Sequence, residues 1–195
     1  MIEFIDVTKY FKKDKIFEHL NFKVNNNDFL IIEGHNGSGK STIINLILNL
    51  KELKKGDSGS INNDFKSISY YPEKFVLPSL IKSHDFLYDY FDDILTKENI
   101  DLMINRYKLE NKLICNLSKG NTMKIVIIKT LLENSELYIF DEPLNGLDEE
   151  SKILFKDDLV RLNKENKTII LITHDQEFFK DSYTSLLKLG GDLNE

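Results

Sequence analysis

Short apolar segments separated by polar stretches predict most of the strands of this chain. Leu20, Phe22 and Val24 alternate with polar residues, which is typical of a strand with one solvated face. Short apolar runs bounded by polar residues recur at residues 29–32, 137–140 and 168–173, and residues 68–71 form another short strand that Pro72 closes. Short apolar runs of this kind are typical of a parallel sheet that is covered on both faces.

Helical patterns lie between these strands. Residues 121–133 and 149–163 have helical periodicity, and apolar positions are so dense at residues 40–50 that we expect a helix buried on most sides. Residues 80–112 are helical in pattern with many charges, so we expect a small lobe there. Residues 49–64 are polar and contain glycines. The order of strands and helices predicts an α/β fold.

Composition narrows the class of protein. A chain of 195 residues with 41% hydrophobic residues supports one domain. The net charge of −6 disfavours nucleic-acid binding. Cys115 has no cysteine to pair with, the N-terminus lacks a signal-peptide pattern, and no apolar run reaches the roughly 20 residues of a membrane span. We therefore expect a cytoplasmic protein, in which another chain would cross any membrane.

A phosphate-binding motif follows the run at residues 29–32. The match to G-x-x-x-x-G-K-[ST] consists of Gly34, His35, Asn36, Gly37, Ser38, Gly39, Lys40 and Ser41. Glycines let backbone N–H groups converge on an anion, and a helix N-terminus adds partial positive charge. We expect Lys40 to reach the β- and γ-phosphates, Ser41 to ligate Mg²⁺ and Thr42 to add a phosphate contact. The alternative is a glycine-rich turn with a solvated lysine.

Two adjacent acids end the run at residues 137–140. Asp141 and Glu142 would face the ligand crevice, because ligands bind at the carboxyl edge of a parallel sheet. Asp141 suits Mg²⁺ coordination, and Glu142 suits the general base that deprotonates an attacking water. The alternative is a strand that ends in a solvated acidic turn.

Further motifs resemble, in order, those of the ATP-binding subunits of ABC (ATP-binding cassette) transporters over essentially the whole chain. Residues 117–121 resemble the LSGGQ signature, with Lys119 and Asn121 replacing the first Gly and the Gln. Residues 71–73 resemble the Q-loop, with Glu73 replacing the Gln. Residues 7–11 resemble the A-loop, 143–148 the D-loop and 173–175 the switch-histidine loop.

The resemblance implies a fold and an assembly. The fold is a P-loop NTPase core with a mainly parallel sheet, an N-terminal antiparallel β subdomain and a small helical subdomain at about residues 78–116, in a single domain spanning residues 1–195. ATP and Mg²⁺ are the implied ligands. The implied partners are a second nucleotide-binding subunit, identical or different, and a transmembrane permease that holds the chain at the inner face of the cell membrane.

The resemblance also implies residue roles. Phe11, with Tyr10 as the alternative, would stack on adenine, while His174 would contact the γ-phosphate. Glu73 would join Ser41 and Asp141 near Mg²⁺. Signature residues Ser118, Gly120 and Asn121 would bind the nucleotide of the opposite subunit, and Asp148 would belong to the D-loop. The site would then be complete only in a dimer.

Simpler interpretations compete with several of these roles. Ser118 has the residue type of a helix N-cap, His174 is compatible with a structural role, and the aromatic pair Tyr10 and Phe11 is compatible with core packing. The apolar segment 75–80 suits either a docking surface for the permease or burial within this subunit.

The preferred functional hypothesis is an ATPase that powers a separately encoded permease. Residues 71–73 and 117–120 resemble exporter subunits more than nutrient importers, so export is the expected direction. The alternative is a soluble ABC-type ATPase that acts on the ribosome or DNA. A non-hydrolysing regulatory module and a nucleoside kinase fit the motifs less well. The cargo is not encoded in these motifs.

Overall fold

A computed structural model describes residues 1–12, 14–92 and 94–190. Its strands are β1 Ile2–Phe11, β2 Asp14–Val24, β3 Phe29–Gly34, β4 Ser58–Asn63, β5 Ile68–Tyr71, β6 Leu137–Asp141, β7 Thr168–Ile172 and β8 Ser185–Leu189. Its α-helices are α1 Lys40–Ile47, α2 Ser83–Tyr90, α3 Lys97–Arg106, α4 Lys119–Leu132 and α5 Glu149–Lys164. Two short 3₁₀ helices cover Ile114–Asn116 and Gln176–Phe179.

The central sheet is parallel and has the strand order β5-β6-β7-β3-β8. Successive residues of β3 point to opposite faces, so that Phe29 and Ile31 join one hydrophobic core and Leu30 and Ile32 join the other. β6 and β7 alternate in the same way. Apolar residues therefore cover both faces of these strands, as their continuous apolar runs predict.

The two faces of this sheet are covered by different elements. Residues of α1 and β1 fill the core on one side, whereas residues of α2 to α5 fill the core on the other. Ile43, Ile44, Leu46 and Ile47 of α1 are buried, in agreement with the predicted buried helix. Leu50 is 68% exposed, contrary to that prediction, because α1 ends at Ile47.

A second, antiparallel sheet has the strand order β2-β1-β4. The predicted alternation at residues 20–24 belongs to β2, but β4 lies inside the segment predicted only as polar. The pairing of β1 with β2 shifts register between Phe4 and Val7, and Asp6 has a φ of 51°. Such an irregularity breaks the two-residue period that makes a strand visible in the sequence.

The charged helical region at residues 80–112 forms two helices, α2 and α3. The C-terminal end of α3 is joined to α5 through Asp158, whose carboxylate accepts hydrogen bonds from Arg106 Nε at 3.0 Å and Tyr107 Oη at 2.9 Å. Arg161 Nη2 lies 3.4 Å from the other carboxylate oxygen. The only two arginines of the chain thus converge on one carboxylate, which is 2% exposed.

Candidate functional site

The glycine-rich loop joins β3 to α1 and turns sharply at Gly39. Gly39 adopts a left-handed conformation with a φ of 100°, which favours glycine. A Cβ at this position would lie 2.8 Å from Ile16 Cγ2, so a side chain would also collide with β2. The amine of Lys40 donates to the carbonyl oxygens of Gly34 and His35, the latter at 3.1 Å. This contact keeps the amine over the loop at the N-terminus of α1.

The interior of the loop contains a buried hydroxyl. Ser38 is 6% exposed, and its Oγ has no hydrogen-bond partner among the described residues. A Cβ on Gly34 would lie 2.5 Å from this oxygen, so Gly34 permits the close approach of Ser38. A buried hydroxyl without a partner is costly unless a ligand or water satisfies it.

The loop forms one wall of a cleft of about 690 Å³. This wall consists of Asn36, Gly37, Gly39, Lys40, Ser41 and Thr42. Five other residues singled out from the sequence line the same cleft, namely Phe11, Glu73, Asp141, Glu142 and His174. Gly34, His35 and Ser38 lie in the loop but do not line the cleft.

The carboxylate of Asp141 enters the cleft from the end of β6 and is 5% exposed. Burial, together with the charges of Glu73 and Glu142, raises its pKa to about 6, against the opposing effect of Lys40. No cationic side-chain nitrogen lies within 4 Å of this carboxylate in the part of the chain that the structure describes. The environment therefore disfavours the ionised form in the absence of an added cation.

Mg²⁺ fits this set of oxygen donors. Asp141 and Ser41 line the same cleft, and hard Mg²⁺ binds through few protein oxygens while keeping water and phosphate ligands. Within the described ranges no group of three His, Cys, Asp or Glu side chains forms a complete metal cage. The arrangement suits an ion that arrives with a phosphate ligand, and Glu73 lines the same cleft.

Glu142 follows Asp141 in an uncommon backbone conformation with a φ of 51°. Its amide donates to the carbonyl of Ile172 at 3.0 Å, which joins it to the end of β7. His174 extends from the same end of β7, and its Nε2 lies 3.1 Å from Glu142 Oε1. Burial raises the pKa of Glu142, while His174 and Lys40 act in the opposite direction. A carboxylate with a raised pKa is better suited to accept a proton.

The signature residues lie elsewhere. Ser118, Gly120 and Asn121 do not line the cleft; Ser118 caps α4, where its Oγ accepts from the Asn121 backbone amide at 3.2 Å. The capping interpretation of Ser118 is therefore correct. Asn121 also donates from its side chain to Glu110 at 2.9 Å.

The D-loop packs against the first turn of α4. A Cβ on Gly120 would lie 3.0 Å from the carbonyl oxygen of Gly146, so the two backbones approach closely. Asp148 caps α5 by accepting from the Ser151 amide at 2.8 Å, and its carboxylate lies 3.2 Å from the amine of Lys124. These hydrogen bonds and Lys124 lower the pKa of Asp148 to about 2.

The two A-loop aromatics differ in position. Phe11 is 58% exposed and lines the cleft, whereas Tyr10 is 38% exposed and does not. The amide of Tyr10 donates to Asp57 at 2.9 Å, which fixes the end of β1. Neither ring belongs to the core, so the core-packing interpretation is wrong for both.

Five residues that line the cleft were not anticipated from the sequence, namely Asp14, Lys15, Ile16, Lys51 and Asn145. The first three belong to the start of β2, which folds over the glycine-rich loop, and Lys51 follows α1. No local motif marks them, because each reaches the cleft through tertiary packing. Asn145 lies between the acidic pair and Asp148, and only its place within the D-loop motif pointed toward it.

The family profile and the related sequences both match this chain to ATP-binding proteins of ABC transporters. The profile of the ABC transporter family matches residues 17–145. The chain is 34% identical over 181 residues to an ABC transporter ATP-binding protein of Methanocaldococcus jannaschii, covering 88% of this chain and 67% of that protein. It is 34% identical to a zinc import ATP-binding protein of Rickettsia bellii, with 90% and 76% covered. It is 33% identical to a cytochrome c biogenesis ATP-binding export protein of Reclinomonas americana, with 82% and 78% covered.

Chain length and structural comparison extend these matches. The chain spans 46–55% of the length of three other transporter ATP-binding proteins that it matches, so it corresponds to about half of each. A solved dimeric bacterial ABC transporter cassette superimposes with a TM-score of 0.77 at 23% identity, covering 96% of this chain and 94% of that one. In the described ranges, no helix is both long and apolar enough to cross a membrane.

Proposed function

The chain belongs to the ABC transporter ATP-binding family, and on this premise we propose that it dimerises around ATP to power a separately encoded membrane permease. The observation that carries the proposal is the cleft itself. Three segments supply Lys40, the adjacent pair Asp141 and Glu142, and His174, which meet at the carboxyl edge of one parallel sheet. This edge is where α/β sheets bind ligands.

The residues divide the work of hydrolysis by position. Lys40 and the N-terminus of α1 neutralise the phosphates, and Phe11 offers an exposed ring in the same cleft for the adenine. Glu142 accepts the proton of the attacking water. His174, whose Nε2 lies 3.1 Å from Glu142 Oε1, would orient Glu142 and contact the γ-phosphate. Mg²⁺, held by Ser41 and Asp141, would neutralise charge that develops on the phosphates.

Dimerisation is supported by what the cleft lacks. Ser118 and Gly120 stand at the start of α4 outside the cleft, so within one subunit they do not meet its nucleotide. A helix N-terminus is suited to an anion, and the solved cassette with a similar fold is a dimer. We propose that each α4 N-terminus completes the site of the other subunit.

The permease contact is proposed for the segment that follows Glu73. Val76 is 98% exposed and Leu80 is 83% exposed, while Phe75 and Leu77 pack against the core. Both alternatives for this segment therefore apply in part: Phe75 and Leu77 are packed within this subunit, whereas Val76 and Leu80 are available for a permease to contact. Export is the proposed direction, because residues 71–73 and 117–120 resemble those of exporter subunits. A relative named for import and one named for export have nearly the same sequence identity to this chain.

Affinity purification from gently solubilised membranes of the native host tests the permease. We expect a polytopic membrane protein in stoichiometric amount, and Val76→Asp with Leu80→Asp should release it while ATP binding is retained. Leu102→Asp provides the control outside this segment, because Leu102 lies on α3 and is 67% exposed. Recovery only in the soluble fraction, alone or with ribosomes or DNA, would instead support the soluble ABC-type ATPase.

The dependence of turnover on protein concentration tests the dimer. Because the proposed site needs two chains, specific activity should fall as the protein is diluted below the dissociation constant of the dimer. Lys40→Ala serves as the reference variant, because it should lose nucleotide affinity at every concentration. Constant specific activity from a chain shown to be monomeric would contradict the composite site.

A further inference from the structure

A buried ion pair joins the end of β1 to the connecting segment, residues 48–57, which leads from α1 to β4. The amine of Lys9 donates to the carboxylate of Asp57, and the two side chains are only 6% and 3% exposed. The same amine donates to the carbonyl oxygen of Glu52 at 3.0 Å. Lys9 therefore holds the connecting segment at two points, although neither Lys9 nor Asp57 lines the cleft.

The carboxylate of Asp57 is fully engaged. Its Oδ1 accepts from the backbone amide of Tyr10 at 2.9 Å, and its Oδ2 accepts from the backbone amide of Lys54 at 2.7 Å as well as from Lys9. Burial opposes the ionisation of Asp57, but these hydrogen bonds outweigh it and lower its pKa. Because apolar residues of similar volume often stabilise a core as well as a buried ion pair does, stability alone does not explain the pair.

Asp57 fixes the backbone of β1 where the pairing with β4 stops. The last residues paired between these strands are Thr8 and Ser58. The pairing of β1 with β2 shifts register on both sides of Lys9. Just beyond this point the Asp57 side chain accepts the amide of Tyr10. A side chain, and not a neighbouring strand, therefore holds the end of β1 on this side.

Phe11 follows directly after this anchor. It is the last residue of β1, it lines the cleft, and it is 58% exposed. Since so much of Phe11 is free of packing contacts, its direction depends on the backbone that carries it. Ordering a side chain when a ligand binds costs affinity, and a backbone that is already fixed reduces this cost.

We propose that Asp57, with Lys9 as its counter-ion, is a positioning residue that holds Phe11 where it stacks on the base of the nucleotide. The inference rests on the proposed function, in which Phe11 receives the adenine. The anchor also links two parts of the nucleotide site, because the connecting segment begins where α1, the helix of the phosphate loop, ends. The pair should thus contribute to affinity for the base and not for the phosphates.

Paired substitutions separate this role from a purely structural one. Lys9→Met with Asp57→Leu removes both charges, keeps the space filled and leaves the Tyr10 amide without its acceptor. Lys9→Met with Asp57→Asn also removes both charges but keeps a side-chain oxygen that can accept from this amide. Calorimetric titration measures the affinity of wild type and variants for a non-hydrolysable ATP analogue with Mg²⁺. The second ligand is inorganic tripolyphosphate with Mg²⁺, which has neither base nor ribose.

We expect Lys9→Met with Asp57→Leu to weaken binding of the analogue about threefold and to leave binding of tripolyphosphate unchanged. The variant with Asp57→Asn should bind both ligands as wild type does. When Phe11→Ala is already present, the first pair of substitutions should have no further effect. Asp57→Glu, which keeps the charge but displaces the carboxylate, should show the same selective loss and serves if the apolar pair does not fold.

Asp158→Ala is the matched control. Asp158 is also a buried carboxylate with three hydrogen-bond partners, and it does not line the cleft. Its substitution should lower stability and change neither affinity of the folded protein.

Three outcomes would overturn the inference. The first is unchanged affinity for the analogue, and the second is the same loss in the presence of Phe11→Ala. The third is an equal loss for both ligands, which would place the effect on the phosphate part of the cleft, for example through Lys51 of the connecting segment. If wild type bound neither ligand, the proposed function itself would fail.

Discussion

Asp141 and Asp158 are two buried carboxylates in opposite electrostatic situations. Asp158 is 2% exposed and receives Arg106, Tyr107 and Arg161. Asp141 is 5% exposed, and no cationic group of the described chain lies within 4 Å of it. The first resembles a completed structural joint between α3 and α5. The second is a carboxylate without a cationic partner in the described chain, which an added cation such as Mg²⁺ could pair with.

The difference shows that burial alone does not tell whether a carboxylate has a structural or a functional role. A buried carboxylate is costly unless it is paired, so Asp158 is satisfied within the fold and Asp141 is not. The cost at Asp141 is visible as its raised pKa. We infer that removing charge near Asp141 affects chemistry first, whereas removing charge at Asp158 affects stability first.

Glu142→Gln should give the largest effect in this comparison. The amide keeps the shape of the side chain but cannot accept the proton of water, so we expect turnover to fall about 1000-fold while ATP binding and thermal stability persist. Steady-state hydrolysis, binding of a fluorescent ATP analogue and gel filtration with ATP measure the three properties. An ATP-trapped dimer is expected, and normal turnover would remove Glu142 from the role of base.

Asp158→Ala should give the opposite profile. It leaves the buried hydroxyl of Tyr107 without its acceptor and separates two arginines from their shared carboxylate, so we expect a loss of about 2–3 kcal/mol in the free energy of unfolding. Nucleotide affinity of the folded protein should not change. Urea unfolding measures the loss. Asp157→Ala is the control, because Asp157 is the adjacent residue and its own side chain is exposed. Equal stability of the two variants would show that the joint contributes nothing.

Asp141→Asn should change stability less than Asp158→Ala does, and in the favourable direction. Because burial raises the pKa of Asp141 to about 6, the nucleotide-free protein loses stability as pH rises from about 4 through about 6. Above that range the asparagine variant should be more stable by about 1 kcal/mol, and the advantage should disappear near pH 4. Thermal unfolding in EDTA across this range measures it. A destabilised variant at pH 8 would contradict the unpaired state of Asp141.

The elements around the cleft were predictable because their signals are local. The runs that became β3, β5, β6 and β7 lie within a few residues of the predicted bounds, and the glycine-rich motif fell between β3 and α1 as expected. β3, β6 and β7 are buried on both faces, so they appear as continuous apolar runs, whereas β5 lies at the sheet edge and is only partly buried on one face. The motif residues occupy strand ends, which is why several of them meet in one cleft.

What the sequence did not reveal depends on contacts between distant residues. β4 has the sequence SGSINN, in which Ile61 is the only β-branched residue and no residue is aromatic, and it forms because β1 pairs with it. Asp158 sits in a charged helix, where an acid is usually solvated; only the packing of α3 on α5 buries it. Ile16 and Lys51 reach the cleft in the same indirect way.

The position of β3 inside the parallel sheet has a consequence for biosynthesis. β3 pairs with β7 on one side and β8 on the other, at residues 168–172 and 185–189. A strand that emerges early from the ribosome must therefore wait for the late part of the chain before either edge is paired. Such non-local pairing slows folding and prolongs exposure of apolar strands, so C-terminal truncation before β7 should leave the phosphate loop without the sheet that shapes it.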